Sequence, residues 1–144
     1  MDKNKTLSEF ISSYPQLYGW LYFNTLIQSS GETSLMTDSD NILKEFIDCS
    51  KQREYIFSIM MMKDYDSGTS DLNIEALDET QNFNRWVEEQ NNLENFPDWG
   101  ENNVIDEMIV LSELPILSVD QDTNVAKYML QLKINYLEKE IKKW

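Results

Sequence analysis

Between Tyr128 and Tyr136 the chain alternates strictly. Tyr128, Leu130, Leu132, Ile134 and Tyr136 form one series, and Met129, Gln131, Lys133 and Asn135 stand between them. A period of two puts the first series on one face of a strand and the second on the other. A strand with one dry face is not stable alone, so the chain must build a sheet and supply something to cover it. The run from Glu54 to Tyr65 adds a second constraint. Tyr55, Phe57, Ile59 and Met61 alternate with Ile56, Ser58, Met60 and Met62, so both faces are largely apolar. That is the pattern of a central strand covered twice, or covered once and used in an interface.

Two segments carry the helical period. Thr6-Leu7-Ser8-Glu9 has the form of a capping box, and Leu7, Phe10, Ile11 and Tyr14 then share one stripe before Pro15. From Asp71 to Asn92, Leu72, Ala76, Phe83, Trp86 and Val87 fall on one side, with most of the acids elsewhere, and Ser70 or Asp71 is placed to cap. Leu17 to Ile27, closed by Ser29-Ser30-Gly31, should contain a strand. A short strand near Ser34–Thr37 and another near Ile42–Asp48 are expected, although 41–48 also fits two turns of helix. Phe96-Pro97-Asp98-Trp99-Gly100 reads as a loop held by two aromatic anchors. Ile105–Val119 is extended and interrupted by Pro115, which suits an edge or a bulge. The polar turn Asp120–Asn124 should pair this segment antiparallel with the next. The expectation is one α+β domain over residues 1–144, a mainly antiparallel sheet packed against two helices.

The chain of 144 residues carries 26 acidic and 12 basic side chains, a net charge of −14, and 41% hydrophobic residues. It is too apolar to be disordered and acidic enough to repel nucleic-acid phosphates. Residues 1–6 lead into an amphipathic stretch, so no secretory signal is expected. No apolar run reaches the roughly 18 residues that cross a bilayer. The expected setting is the cytoplasm or something assembled there, without a membrane. The sequence contains no histidine, which removes Ser-His-Asp and Cys-His chemistry and histidine-bound zinc. Cys49 is the single cysteine, so no internal disulfide forms, and a buried small hydrophobe is its expected role.

Asp64, Asp66 and Glu75 occupy three positions of a calcium-loop frame, but Thr69 stands where glycine is required. Asp120, Asp122 and Asn124 start a second frame that fails at Val125 and Gln131. Both read better as turns. The four isolated glycines make no phosphate-cradling loop. Met60-Met61-Met62 and the four tryptophans read as core and loop anchors. No catalytic residue, cofactor or metal ligand is assigned, and the chain is not expected to be an enzyme.

The run Phe83-Asn84-Arg85-Trp86-Val87-Glu88-Glu89-Gln90, then Asn95 to Glu101, then Ile105 to Val119 and Asp122 to Tyr136, resembles a family of small phage proteins. These are the tail-terminator or tail-completion proteins of long-tailed phages and phage-like elements of Gram-positive bacteria, often labelled minor capsid proteins. The N-terminal half agrees through a short helix ending at Tyr14-Pro15-Gln16-Leu17. Trp99 replaces a more usual aliphatic residue, and Leu114-Pro115 interrupts a strand that is continuous in the family.

The resemblance implies an α+β subunit of a homo-hexameric ring that caps the head-proximal end of the tail tube. The ring contacts the tail tube protein and a neck or connector protein, and DNA passes through it without specific binding. The protein is then a structural component of the virion, at the tail–neck junction, assembled in the host bacterial cytoplasm. A closing ring needs two different adhesive faces per subunit. A carboxylate-lined lumen would repel the passing genome. Candidate contact residues lie in the 66–71 loop (Asp66, Gly68, Asp71), the 92–103 loop (Phe96, Trp99) and the tail (Lys139, Trp144). Two other readings are a small acidic adaptor or nucleic-acid-mimicking inhibitor that binds a basic partner, and a carboxylate-based hydrolase.

Overall fold

The computed structural model describes residues 3–15, 17, 21–25, 27, 30–65, 71–111, 116–120 and 124–139, with backbone alone at 71, 72, 116 and 117. The elements run α1 (Lys3–Ser12), β1 (Leu21–Phe23), β2 (Thr33–Glu45), β3 (Lys51–Asp64), α2 (Asp71–Asn92), β4 (Asn103–Val110), β5 (Ile116–Asp120) and β6 (Val125–Glu138). One six-stranded sheet takes the order β1-β2-β3-β6-β4, with β5 also pairing β6. Every pairing is antiparallel except β1 with β2.

The two segments with the clearest alternation become the two central strands. β3 pairs β6 along its whole length, from Lys51 opposite Glu138 to Asp64 opposite Val125. Tyr55, Phe57, Ile59 and Met61 of β3 then lie beside Ile134, Leu132, Leu130 and Tyr128 of β6 on one face. Leu7 and Ile11 from α1, Tyr14 just after it, and Ala76, Phe83 and Val87 from α2 belong to the same buried cluster. Both helices therefore cover one side of the sheet. Phe10, Tyr14, Phe83 and Trp86 join the helices through rings 5.2–5.9 Å apart.

No described helix covers the other face, so of the two readings of β3 it is the single coverage that is found. Only its far end is sealed, where Ile27, in the segment joining β1 to β2, packs with Met62 and Val125. Beyond that point Ile56 and Met60 stay half-buried, and Ser58 Oγ donates to Asp38 at 2.6 Å.

Three local expectations change. Thr6 lies inside α1 rather than at its cap, because Lys3 and Asn4 are tied to the sheet and draw the helix a turn earlier. The two short strands expected over 34–48 are one strand, and no helix forms there. Thr37-Asp38-Ser39-Asp40-Asn41 looks like a turn in sequence. A register shift between Thr37 and Ser39 absorbs it instead. Asp38 then bonds across the open face, and Asp40 bonds on the covered face.

The extended segment expected over Ile105–Val119 supplies two strands at one edge of the sheet. β4 and β5 line the same flank of β6, joined in register by Leu111 N–H donating to Gln131 O at 2.8 Å. Residues 112–115 lie outside the described residues.

Candidate assembly surfaces

At one end of the core the sheet is closed by an aromatic and ionic cap. Trp99, only 2% exposed, sits edge-on between Tyr55 and Tyr136, with centroids 5.6 and 5.0 Å away. Asp98 accepts from Gly100 N–H at 3.0 Å, and Gly100 takes a positive φ of 84°, so the loop turns back on itself and drives Trp99 inward. Lys3 Nζ donates to the Tyr136 hydroxyl at 2.7 Å and to Asp40 at 3.2 Å, and Tyr136 donates to the other Asp40 oxygen at 2.7 Å. The same ammonium lies 4.7 Å from the centre of the Tyr136 ring.

The cap continues outward through neighbouring polar groups. Tyr55 donates to Asn4 at 2.7 Å, which leaves Thr37 to donate to Tyr55 at 2.8 Å. Arg53 Nε stands 3.3 Å from Glu138, within ion-pair reach but without hydrogen-bond alignment. Burial first, then the hydrogen bond and charge of Asp40, push the Tyr136 hydroxyl far above the ordinary tyrosine range. That tyrosine stays protonated at any physiological pH, so the cap is a permanent clamp and not a proton relay.

Just beyond the cap β2 and β3 end at the edge of the sheet and are joined by the turn 46–50 as a hairpin. Every residue from Asn41 to Cys49 is exposed. Ile42 and Leu43 are 50% and 54% exposed, Phe46 is 39% exposed, and Ile47 is fully exposed. Phe46 N–H donates to Ser50 O, Cys49 N–H to Phe46 O and Ser50 N–H to Asp48 Oδ1, all at 2.9–3.0 Å, so the loop is an ordered turn. Cys49 closes it with a φ of 70°, in the left-handed region that a side chain rarely adopts. Cys49 is thus exposed in the turn, correcting the expectation of a buried cysteine. Four large apolar side chains at one tip exceed the scattered single exposures of an ordinary surface.

At the opposite end of β3 lies a groove of about 470 Å³. Tyr14, Met61 and Ala76 contribute buried apolar surface, and Asp64, Glu75 and Glu79 contribute exposed carboxylates. Lys63 pairs with Glu79 across it. Burial, then the charge of Glu79, raises the pKa of Tyr14. Gly31 opens onto the groove with a φ of 88°, and a Cβ added there would meet nothing within 4 Å.

The residues singled out from sequence fall elsewhere. Asp66, Gly68 and Trp144 lie outside the described residues, and Asp71 begins α2 with its side chain outside them. Phe96 is half-buried against the core, Trp99 is spent inside it rather than on the surface, and Lys139 is exposed. Lys139 N–H donates to Asn102 O at 2.7 Å, so the described start of the tail is fastened to the loop before β4. The hairpin tip was missed because Ile42, Leu43, Phe46 and Ile47, spaced i, i+1, i+4 and i+5, look like an inward helical stripe. Among the described residues no group of three acidic or cysteine side chains forms a metal site, and no helix is long and apolar enough to cross a membrane. Comparison with protein-family models and with curated proteins finds no match.

Proposed function

We propose that this chain is a structural subunit of a phage tail, a tail terminator that assembles as a six-membered ring between the tail tube and the neck. The observation that carries the reading is the hairpin tip, where four large apolar residues stand exposed at the end of β2 and in the turn that joins it to β3. Leaving them exposed forgoes burial worth about 1.5–3 kcal/mol for Ile47 and roughly half that for each of the other three, so a partner surface is their natural destination. A surface built this way binds protein rather than transforming a small molecule.

The sheet edges support the same reading. β1 covers only Thr33–Leu35 of β2, the rest of β2 forms that edge with register shifts at Thr37/Ser39 and Ile42/Lys44, and the other edge is broken between β4 and β5 with a register shift beside Asp106. Short and interrupted edges discourage open-ended strand addition. Contact is then specified by side chains at defined points, as a closed ring requires. The charge of −14 per subunit also suits a passage through which DNA must slide without adhering.

The test is electron microscopy of particles assembled without this protein. Tubes of uncontrolled length, or tails that fail to join heads, are the expected outcome. Particles with tails of normal length joined to heads would sink the proposal.

A further inference from the structure

We propose that the apolar tip of one copy seats in the carboxylate-rimmed groove of the next, joining copies head to tail. This rests on the ring reading above and names the two surfaces that meet. Tip and groove sit at opposite ends of β3, which runs from Lys51 beside the hairpin to Met61, Lys63 and Asp64 in the groove. A strand of that length spans roughly 40 Å. It is paired on both sides, so it cannot fold back. The tip of one copy cannot reach that copy's own groove, so a tip that enters a groove comes from another molecule.

Charge selects which surface that is. The groove rim carries Asp64, Glu75 and Glu79 against Lys63 alone. A second copy carries a net charge of −14, so an approach by its acidic segments is repelled. The tip escapes that repulsion. Over residues 41–51, Lys44 and Lys51 balance Glu45 and Asp48. Lys44 Nζ stands 5.2 Å from the centre of the Phe46 ring, so a cation travels with the apolar surface. An apolar wedge that carries an ammonium matches an apolar groove rimmed by carboxylates. Two unlike surfaces on one chain make a heterologous contact, the kind that generates rings when its rotation closes.

The single native cysteine makes the contact testable in the full chain. Cys49 stands in the tip turn, and Glu75→Cys places a second thiol on the exposed groove rim. Mild oxidation of the E75C protein should give a reducible ladder of covalent dimers, trimers and higher species, and peptide mapping of its bands should find Cys49 joined to the thiol introduced at position 75; bands joined only like to like overturn the contact. The wild type, and E75C in a Cys49→Ser background, should stop at dimers. Ile47→Asp should weaken self-association by at least about tenfold in sedimentation while leaving thermal unfolding unchanged. If E75C yields only dimers where sedimentation shows larger assemblies, the tip–groove contact is wrong although ring assembly stands. A chain that remains monomeric up to millimolar concentration also overturns the contact. Failure of the ring reading is registered separately, by normal particles in the absence of the protein.

Discussion

The aromatic cap and the hairpin tip are neighbours on the same two strands, and they treat large apolar side chains in opposite ways. In the cap, Tyr55, Trp99 and Tyr136 are at most 2% exposed, and the polar atoms of the two tyrosines are bonded to Lys3, Asn4, Thr37 and Asp40. In the tip, Ile42, Leu43, Phe46 and Ile47 have only solvent around much of their surface. Hydrophobicity alone does not separate the two sets. What separates them is whether other elements reach them: α1 and the loop before β4 fold over the cap, and nothing described folds over the hairpin. Apolar surface in the first region holds the subunit together, and in the second it is available for holding subunits to one another.

That contrast can be broken by mutation, and the largest effect should come from the cap. Trp99→Ala removes the ring on which both tyrosines pack and should cost about 3–5 kcal/mol, read from denaturant unfolding. A loss under 1 kcal/mol would mean that the cap does not hold the fold.

Tyr136→Phe keeps the ring and deletes the hydroxyl between Lys3 and Asp40. It should cost about 1–2 kcal/mol, less than the tryptophan, because Lys3 and Asp40 still meet. The same hydroxyl sets the alkaline limit. Its pKa is raised in the folded state, as are those of Tyr14 and Tyr128, chiefly by burial. The folded chain therefore holds these protons when the unfolded chain has released them. Their contribution is fully present below pH 10 and is lost as the pH rises beyond it. Stability followed against pH should fall above about pH 10, less steeply in Tyr136→Phe. Tyrosinate absorbance should show a class of tyrosines that ionises only on unfolding.

The tip should respond weakly in the isolated subunit. Cys49→Gly relieves the left-handed strain at φ 70° and should change stability by no more than about 1 kcal/mol, in the stabilising direction. Ile47→Ser should fall within about 0.5 kcal/mol of the wild type in unfolding, since its side chain touches solvent. A large destabilisation by Ile47→Ser would erase the distinction between the two regions.

The parts of the fold that were legible in sequence share one property, a long unbroken period. The alternation over Tyr128–Tyr136 and Tyr55–Met62 identified the two central strands. The stripe from Ala76 to Val87 marked a helix whose bounds, Asp71–Asn92, match the sequence expectation. The loop at 96–100 was readable as a loop with two aromatic anchors, but Phe96 and Trp99 were also offered as contact residues, and the turn at Gly100 instead places Trp99 in the core. Where the period was short, the reading failed. Asp38 and Asp40 looked like turn residues, and only their bonds to Ser58, Lys3 and Tyr136 keep them in a strand. Cys49 looked apolar and buried, but the turn places it outside.

By itself, the sequence determined that this chain builds a mainly antiparallel sheet packed against two helices, and that it is strongly acidic without histidine chemistry. Those properties follow from periodicity and composition, which act locally along the chain. Only the tertiary structure decided which apolar residues are interior. The helical stripe of α2 and the stripe at Ile42–Ile47 look alike in sequence. One meets a sheet, and the other extends past the last element able to cover it. Coverage depends on where distant segments end, and no local pattern records that.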